Sequence, residues 1–566
     1  MIEQKFEKVE GFTSLYGLLL RVFAVAEALD KDILENFETY LKIFFSQDRN
    51  SEIRLFFGYS GNFGHKANTV NIMNQLITYY PEDKDRTIRI IYDIDPGEDE
   101  PENPEYPTQF AEALSKLIPG LPASDVENAT PYALTDKITL EFNSYDPSKD
   151  SNQFNPALPS TGCLFAITGG FDESENLCKT INCEYFLSLN PYQFTKYKAL
   201  NTIYTSTMDP EDNEGTLLGP VYDWDGTTIE DNKTGYYGKT FTKRAFYLPD
   251  PELTEDLWLS YKKQDEERYN YVRPIVEELI ELSQQGTIQV MPLYYSQGRI
   301  LCTNTELLLN MTSGLMEMKR LRSESTLENT CSFVVVFGGP DSIDFSNFDK
   351  LILNGDEQYP ELNKFISKNQ EAYNKNYRYL ADNASLEEIQ STVKELGGDG
   401  VIIYRLGKVP LFLNEYMTTV LAGLPAVYEG EGSASIILNY GKPFLHLVSS
   451  DLKGVEDEDG ASAITVNQLY PTIPLSSQNS DIANECHTSS LGMVQTYAQW
   501  NSVIPKDDEL NPNEVVGQFI YESYVENTNK YNYFGSMRDF FHNKIQDKLT
   551  FGLIYIIGEI PLIESN

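Results

Sequence analysis

The chemistry open to this chain rests on few residues. Of its four histidines, His65 lies in the run GYSGNFGHKAN (58–68), where a glycine-containing turn joins an apolar strand to a helix. A histidine titrates near neutral pH, so one held at the carboxyl end of a strand can take the proton of an attacking hydroxyl. A plain loop or helix-cap role accounts for it as well. The run is not a P-loop, since it lacks that spacing and the hydroxyl after the lysine. Two Asp-x-Asp pairs, Asp93 with Asp95 and Asp223 with Asp225, offer the hard oxygens that a divalent cation prefers. With 85 acidic residues such pairs arise by chance, and Asp95 stands as a second candidate base.

A longer run, YEGEGSASIILNYGKPFLHL (428–447), reads as a strand end, a glycine-rich loop, a short helix, a Gly-Lys-Pro stop and a second strand. Gly430 and Gly432 can take positive φ and let backbone amides approach a ligand. Ser433 and Ser435 fall near a helix N-terminus, where free N–H groups and the helix dipole favour an anion. Capping alone explains either serine equally well. Glu429 and Glu431 are out of place beside a diphosphate, but a carboxylate there can accept hydrogen bonds from sugar hydroxyls or else point to solvent. Counter-charge would come from Arg405 and Lys408 around a Gly-x-Val-Pro turn and from Arg299 after LYYSQG. The glycine turn at Gly338 and Gly339 would lend further amides.

The order of parts over 400–447 resembles the donor-binding half of glycosyltransferases of the two-Rossmann, GT-B architecture. The loop at 58–68 resembles the acceptor-side loop of the same enzymes. The resemblance implies that Glu429–Ser435 meets a nucleotide-sugar diphosphate, that His65 or Asp95 serves as base, and that no metal or other cofactor is needed. An Asp-x-Asp metal site of the GT-A kind is the competing reading. The two-unit layout and the 400–447 run argue against it.

Around these residues the sequence alternates apolar strands with helical stretches, the mark of parallel sheets covered by helices. The strands are predicted at 52–60, 86–95, 162–170, 183–191, 287–295, 331–339, 400–407, 425–430 and 442–450, with two helices over 14–46 before them. The expected architecture is α/β, with two Rossmann-like open parallel-sheet domains facing a cleft and extra N-terminal helices. Residues 1–270 would form the acceptor-side domain, with a polar insertion at 206–245. Residues 271–530 would bind the donor, and 531–566 would be a tail packing back on the first domain. At 566 residues the chain is long enough for two or three cores.

Composition narrows the partners. Lys and Arg number 44 against 85 Asp and Glu, a net charge of −41 that repels nucleic acid and anionic membrane surfaces. Six cysteines without metal-type pairing read as reduced, buried thiols. No apolar run reaches the ~18 residues that span a bilayer, and the start carries acidic residues where a leader needs basic ones. A cytoplasmic, bacterial protein without a transmembrane segment is expected. Three functions fit: a hexosyltransferase-like, metal-independent transfer from a nucleotide-sugar to an acceptor, a non-hydrolysing sugar-nucleotide 2-epimerase of the same fold, and a non-catalytic binding or adaptor protein.

Overall fold

A computed structural model describes residues 41–294, 304–337, 375–447 and 485–553 with internal breaks, the longest at 218–237 and 490–511. The helices expected at 14–46 lie almost wholly outside the described residues. The chain divides into two compact units. One takes in Met1–Tyr192, Asn201–Leu248 and Phe541–Asn566, the other Gln193–Leu200 and Pro249–Phe540.

The first unit is built on β1 (Glu52–Phe57), β2 (Arg86–Asp93), β3 (Tyr132–Ala133), β4 (Ile138–Tyr145), β5 (Phe154–Asn155), β6 (Cys163–Thr168) and β7 (Cys183–Leu189). Five of these pair in the order β4-β2-β1-β6-β7, parallel throughout. Counted along the chain this is 3-2-1-4-5, the doubly wound order. Strands such as CLFAIT are buried along their whole length, as a sheet covered on both faces requires. The sequence does not announce β4, because ITLEFNSY alternates buried with half-buried positions instead of forming an apolar run. A two-residue hairpin, β8 (Gln193–Phe194) with β9 (Ala199–Leu200), counts with the second unit. The polar stretch expected as an insertion supplies edge strands instead. β10 (Thr202–Met208) runs antiparallel to β7, and β11 (Gly215–Leu217) and β12 (Gly238–Phe241) pair with it.

At the amino end of this sheet a charged network is buried. Arg54 has no exposed surface, and its Nε donates to Glu52 Oε1 at 2.7 Å. Its Nη1 and Nη2 donate to the carbonyls of Ile181, Asn182 and Thr161. Arg89 on β2 binds Glu52 from the other side, Nε to Oε1 at 2.9 Å, and also reaches Glu141 on β4 at 2.7 Å. One carboxylate thus ties neighbouring strands, with nearly every donor filled. The unit's last segment packs on the same body: Asp547 accepts from Gln75 Nε2 at 2.7 Å and from the Tyr247 amide at 2.8 Å.

The second unit carries a six-stranded parallel sheet: β13 (Ile288–Tyr294), β14 (Cys331–Phe337), β15 (Tyr377–Leu380), β16 (Val401–Arg405), β17 (Ala426–Tyr428) and β18 (Phe444–His446). Its order is β15-β16-β14-β13-β17-β18, so β15 lies outside a second 3-2-1-4-5 core. Trp258, Tyr261, Val272 and Ile275 join the core of this sheet with Val290, Phe333 and Tyr404. The helices that carry them therefore belong to the second unit, which begins at Pro249 where the sequence set the boundary at 270. The stretch 531–566 is shared, Phe541–Asn566 going with the first unit and the residues before it with the second.

The five described cysteines, Cys163, Cys178, Cys183, Cys331 and Cys486, are buried thiols, none of them in a disulfide. Among the described residues no helix is long and apolar enough to cross a membrane.

Candidate functional site

In a doubly wound sheet a ligand sits beyond the carboxyl ends of the strands, where the strand order reverses. In the first unit that point lies between β1 and β6. Helix α1 (Phe63–Ile77) follows β1, and His65 stands in its first turn, half-buried. The backbone at Gly170, just past β6, lies against its ring: a Cβ built on Gly170 would stand 3.6 Å from His65 Cγ and Nδ1. Gly169 packs closer still. Its amide donates to Thr69 Oγ1 at 3.0 Å, and an added Cβ would meet the Thr69 nitrogen at 2.6 Å. The sequence GG after β6 is thus what lets α1 approach and carries His65 to the switch point. Gly169→Ala is expected to push α1 off the sheet at a cost of about 1–3 kcal/mol, the usual range for overpacking, read as a lowered denaturant midpoint.

Asp93 ends β2 and Asp95 follows it on the same edge as His65. The Asp95 amide donates to Asp93 Oδ1 at 2.9 Å, a local turn that fixes the backbone there. Helix α2 (Tyr106–Leu117) brings Tyr106 over the β1 end. Its hydroxyl accepts from the Ser60 amide at 3.1 Å and faces the Ser60 carbonyl at 3.3 Å. Burial, despite the hydrogen bond from Ser60, pushes that hydroxyl up to about 12, with the Asp93 charge adding to the rise. Lys66, beside His65, stands in the run that lacks P-loop spacing, and nothing local in the sequence marks it as buried. It is 5% exposed, and its Nζ donates to the Ser60 carbonyl.

In the second unit the order reverses between β13 and β17. The run singled out in the sequence lies there: β17 ends at Tyr428, and helix α10 (Glu431–Tyr440) begins three residues later. (Between α2 and α10 the helices are α3, Ala123–Glu127; α4, Leu177–Ile181; α5, Glu255–Gln264; α6, Glu266–Gln284; α7, Asn304–Glu324; α8, Leu386–Leu396; and α9, Leu411–Thr419.) The Glu429 amide donates to the Tyr294 carbonyl of β13 at 3.1 Å, so pairing of the two central strands continues into the loop. Glu429 is 6% exposed and does not point to solvent. Its charge, after burial, is what raises the Tyr294 hydroxyl, which places the carboxylate beside the β13 end.

Two expectations change here. Gly432 is inside α10 with helical backbone, so positive φ is not its role; a glycine there leaves the helix's first turn unobstructed. Ser433 stands in that first turn and is buried, and Ser435, two residues further on, has no more than 1% exposed. The Ser435 carbonyl accepts from Asn439 Nδ2 at 3.0 Å. Gly430 is outside the described residues, as are Arg299, Gly338, Gly339, Asp223 and Asp225; of Glu431 only the backbone is described.

Arg405 ends β16 and Lys408 follows it, three strands from β17. Adjacent strands lie ~4.8 Å apart, so the two loops are separated by roughly 14 Å at sheet level, too far to clamp one diphosphate from both sides. Arg405 is also engaged: its Nη1 lies 3.1 Å from Asp382 Oδ2, and only 5% of the side chain is exposed. Lys408 is exposed. The turn between them is held from α6, where Arg268 Nη2 donates to the Leu406 carbonyl at 2.5 Å and stacks on Tyr271 at 5.5 Å. In that turn Gly407 takes positive φ, +78°. Nearby, on α9, burial alone pushes the Glu415 carboxyl up to about 7, poised to gain or lose a proton at neutral pH. Nothing local in the sequence marks it, because its shift arises from packing.

Among the described residues no group of three or more His, Cys, Asp or Glu is arranged to hold a metal ion. Compared with known protein families and with curated proteins, the chain matches none.

Proposed function

We propose that this chain transfers a sugar from a nucleotide-sugar donor to an acceptor, the second unit holding the donor and the first the acceptor. One observation carries the reading: the 429–435 run stands at the strand-order reversal of a parallel sheet and leads into a helix whose first turn contains Gly432 and Ser433. That position suits a diphosphate, which the helix's free amides and dipole stabilise as it leaves. Glu429, buried at the β13 end, is set to accept from hydroxyls of the ribose or sugar. In the first unit His65 and Asp95 share one sheet edge, and either can take the acceptor's proton. The scheme uses protein groups throughout and asks for no metal.

A second reading, a binding protein that keeps the fold without turnover, is favoured by the engagement of Arg405 with Asp382, which leaves the diphosphate without that cation. One experiment separates the two. Thermal unfolding of the whole chain is followed with nucleoside diphosphates and nucleotide-sugars, with and without Mg²⁺ or Mn²⁺. A ligand at 100 times its Kd stabilises the fold by about 2.7 kcal/mol. Stabilisation by one nucleotide, independent of metal and lost in Gly432→Val, is the expected outcome. If no nucleotide shifts the transition, the transferase reading fails and the binding protein stands.

A further inference from the structure

The first unit holds a cation that the sugar-transfer reading does not use. Lys66 enters on the first turn and a half of α1, at the carboxyl end of β1, and is 5% exposed. Its ammonium donates to one acceptor, the Ser60 carbonyl, and lies over two rings, 5.4 Å from the centre of Tyr106 and 5.9 Å from that of Phe110. An ammonium has three N–H donors, so two remain for another partner. The rings present their negative faces, which offset part of the lost hydration and supply no counter-charge.

Buried cations of the neighbouring sheet are more fully engaged: Arg86, also 5% exposed, donates to the carbonyls of Asp85, Phe45 and Ser46. Arg54 and Arg89 meet Glu52, and Arg89 also meets Glu141. No carboxylate of the described residues pairs with Lys66, in a chain whose net charge is −41. Asp93, close enough to act on the Tyr106 hydroxyl, is not among the groups that act on the ammonium. Burying a charge without a partner is costly, and a packing role at this position would be served better by methionine or leucine. Ser60, Tyr59 and His65 around it are only half-buried, so the ammonium lies just beneath the accessible edge where the strand order reverses.

We propose that Lys66 anchors an anion site at this edge, and that the molecule bound by the first unit presents a phosphate or carboxylate group to its Nζ. The site concerns the first unit's ligand whatever the reaction, and stands without the sugar-transfer reading. Burial pushes the Lys66 ammonium down to about 8, and an arriving anion restores the charged form.

The test uses the full chain and three buffers of matched ionic strength, containing chloride, inorganic phosphate or acetate, and follows the thermal transition as each anion is titrated. Wild type should gain Tm in a saturable way with phosphate, acetate or both, and the effective anion names the group recognised. Lys66→Arg should keep the response. Lys66→Met should be at least as stable as wild type in chloride and should bind the anion about tenfold more weakly or not at all, the loss of one charge-assisted contact. Equal responses in wild type and Lys66→Met, or no response to either anion, overturn the proposal. Should Lys66→Met not fold, wild type is methylated with formaldehyde and a borane reductant, which reduces the imine, near pH 8 and mapped by mass. Slower modification of Lys66 in the presence of the effective anion supports the site, and an unchanged rate overturns it.

Discussion

Arg54→Met should cost the fold about 3–5 kcal/mol, the range for removing one partner of a buried ion pair. The substitution leaves the carbonyls of Ile181, Asn182 and Thr161 without their donor and Glu52 with Arg89 alone. Methionine fills much of the volume, so the loss reports charge and hydrogen bonding more than a cavity. Urea unfolding followed by far-UV circular dichroism would read it, and a change below about 1 kcal/mol would show that the network is replaceable. Glu52→Gln on top of Arg54→Met should recover part of the loss, since the carboxylate is then no longer left half-paired.

The same network predicts a pH dependence. Burial acts to raise the Glu52 carboxyl, but hydrogen bonds from Arg89 and Arg54 and their charges outweigh it and hold the group below the ordinary carboxylate range. A carboxyl depressed on folding contributes stability above its unfolded pKa and loses it as pH falls through the folded value. Wild type should therefore weaken on the acid side of the carboxylate range, and Arg54→Met should weaken there less steeply.

Gly441→Ala comes second in size, at about 2–5 kcal/mol. Gly441 closes α10 at φ +55°, a backbone that costs a side-chain-bearing residue roughly 1–2 kcal/mol. It is also crowded: an added Cβ would lie 2.1 Å from the Phe534 carbonyl oxygen and 2.6 Å from Arg538 Cβ. Backbone cannot swing aside as a side-chain tip can, so the helix Asn529–Phe541 must move, adding about 1–3 kcal/mol of overpacking. Gly286→Ala is the matched control, with φ +70° and nothing within 4 Å of the added Cβ. It should lose only the backbone part, about 1–2 kcal/mol. Equal losses at the two positions would mean that the contact with 529–541 contributes nothing.

Much of the parallel framework is legible in the amino acids, for a physical reason. A strand covered on both faces is apolar along most of its length, so CLFAIT and CSFVVVF announce themselves. Strands that keep one half-buried face, or that pair at an edge, do not. ITLEFNSY alternates in burial and carries no apolar run, and Thr202–Met208 opens a polar stretch that reads as a loop. Helix starts blur in a similar way, since Gly432 has loop-forming character but stands in the first turn of α10.

The amino acids by themselves determine an acidic α/β chain with two alternating series, a histidine after the first strand and a glycine-serine run before a late helix. Which of these groups share a site is a matter of strand order, and no residue encodes that locally. Pairing of β13 with β17 brings Glu429 to the central strand, whereas two intervening strands hold Arg405 away and give it to Asp382. The paired glycines after β6 draw in α1, and with it Lys66 is desolvated beneath Tyr106 and Phe110. A charge's worth depends on what surrounds it, and only the tertiary structure supplies those surroundings.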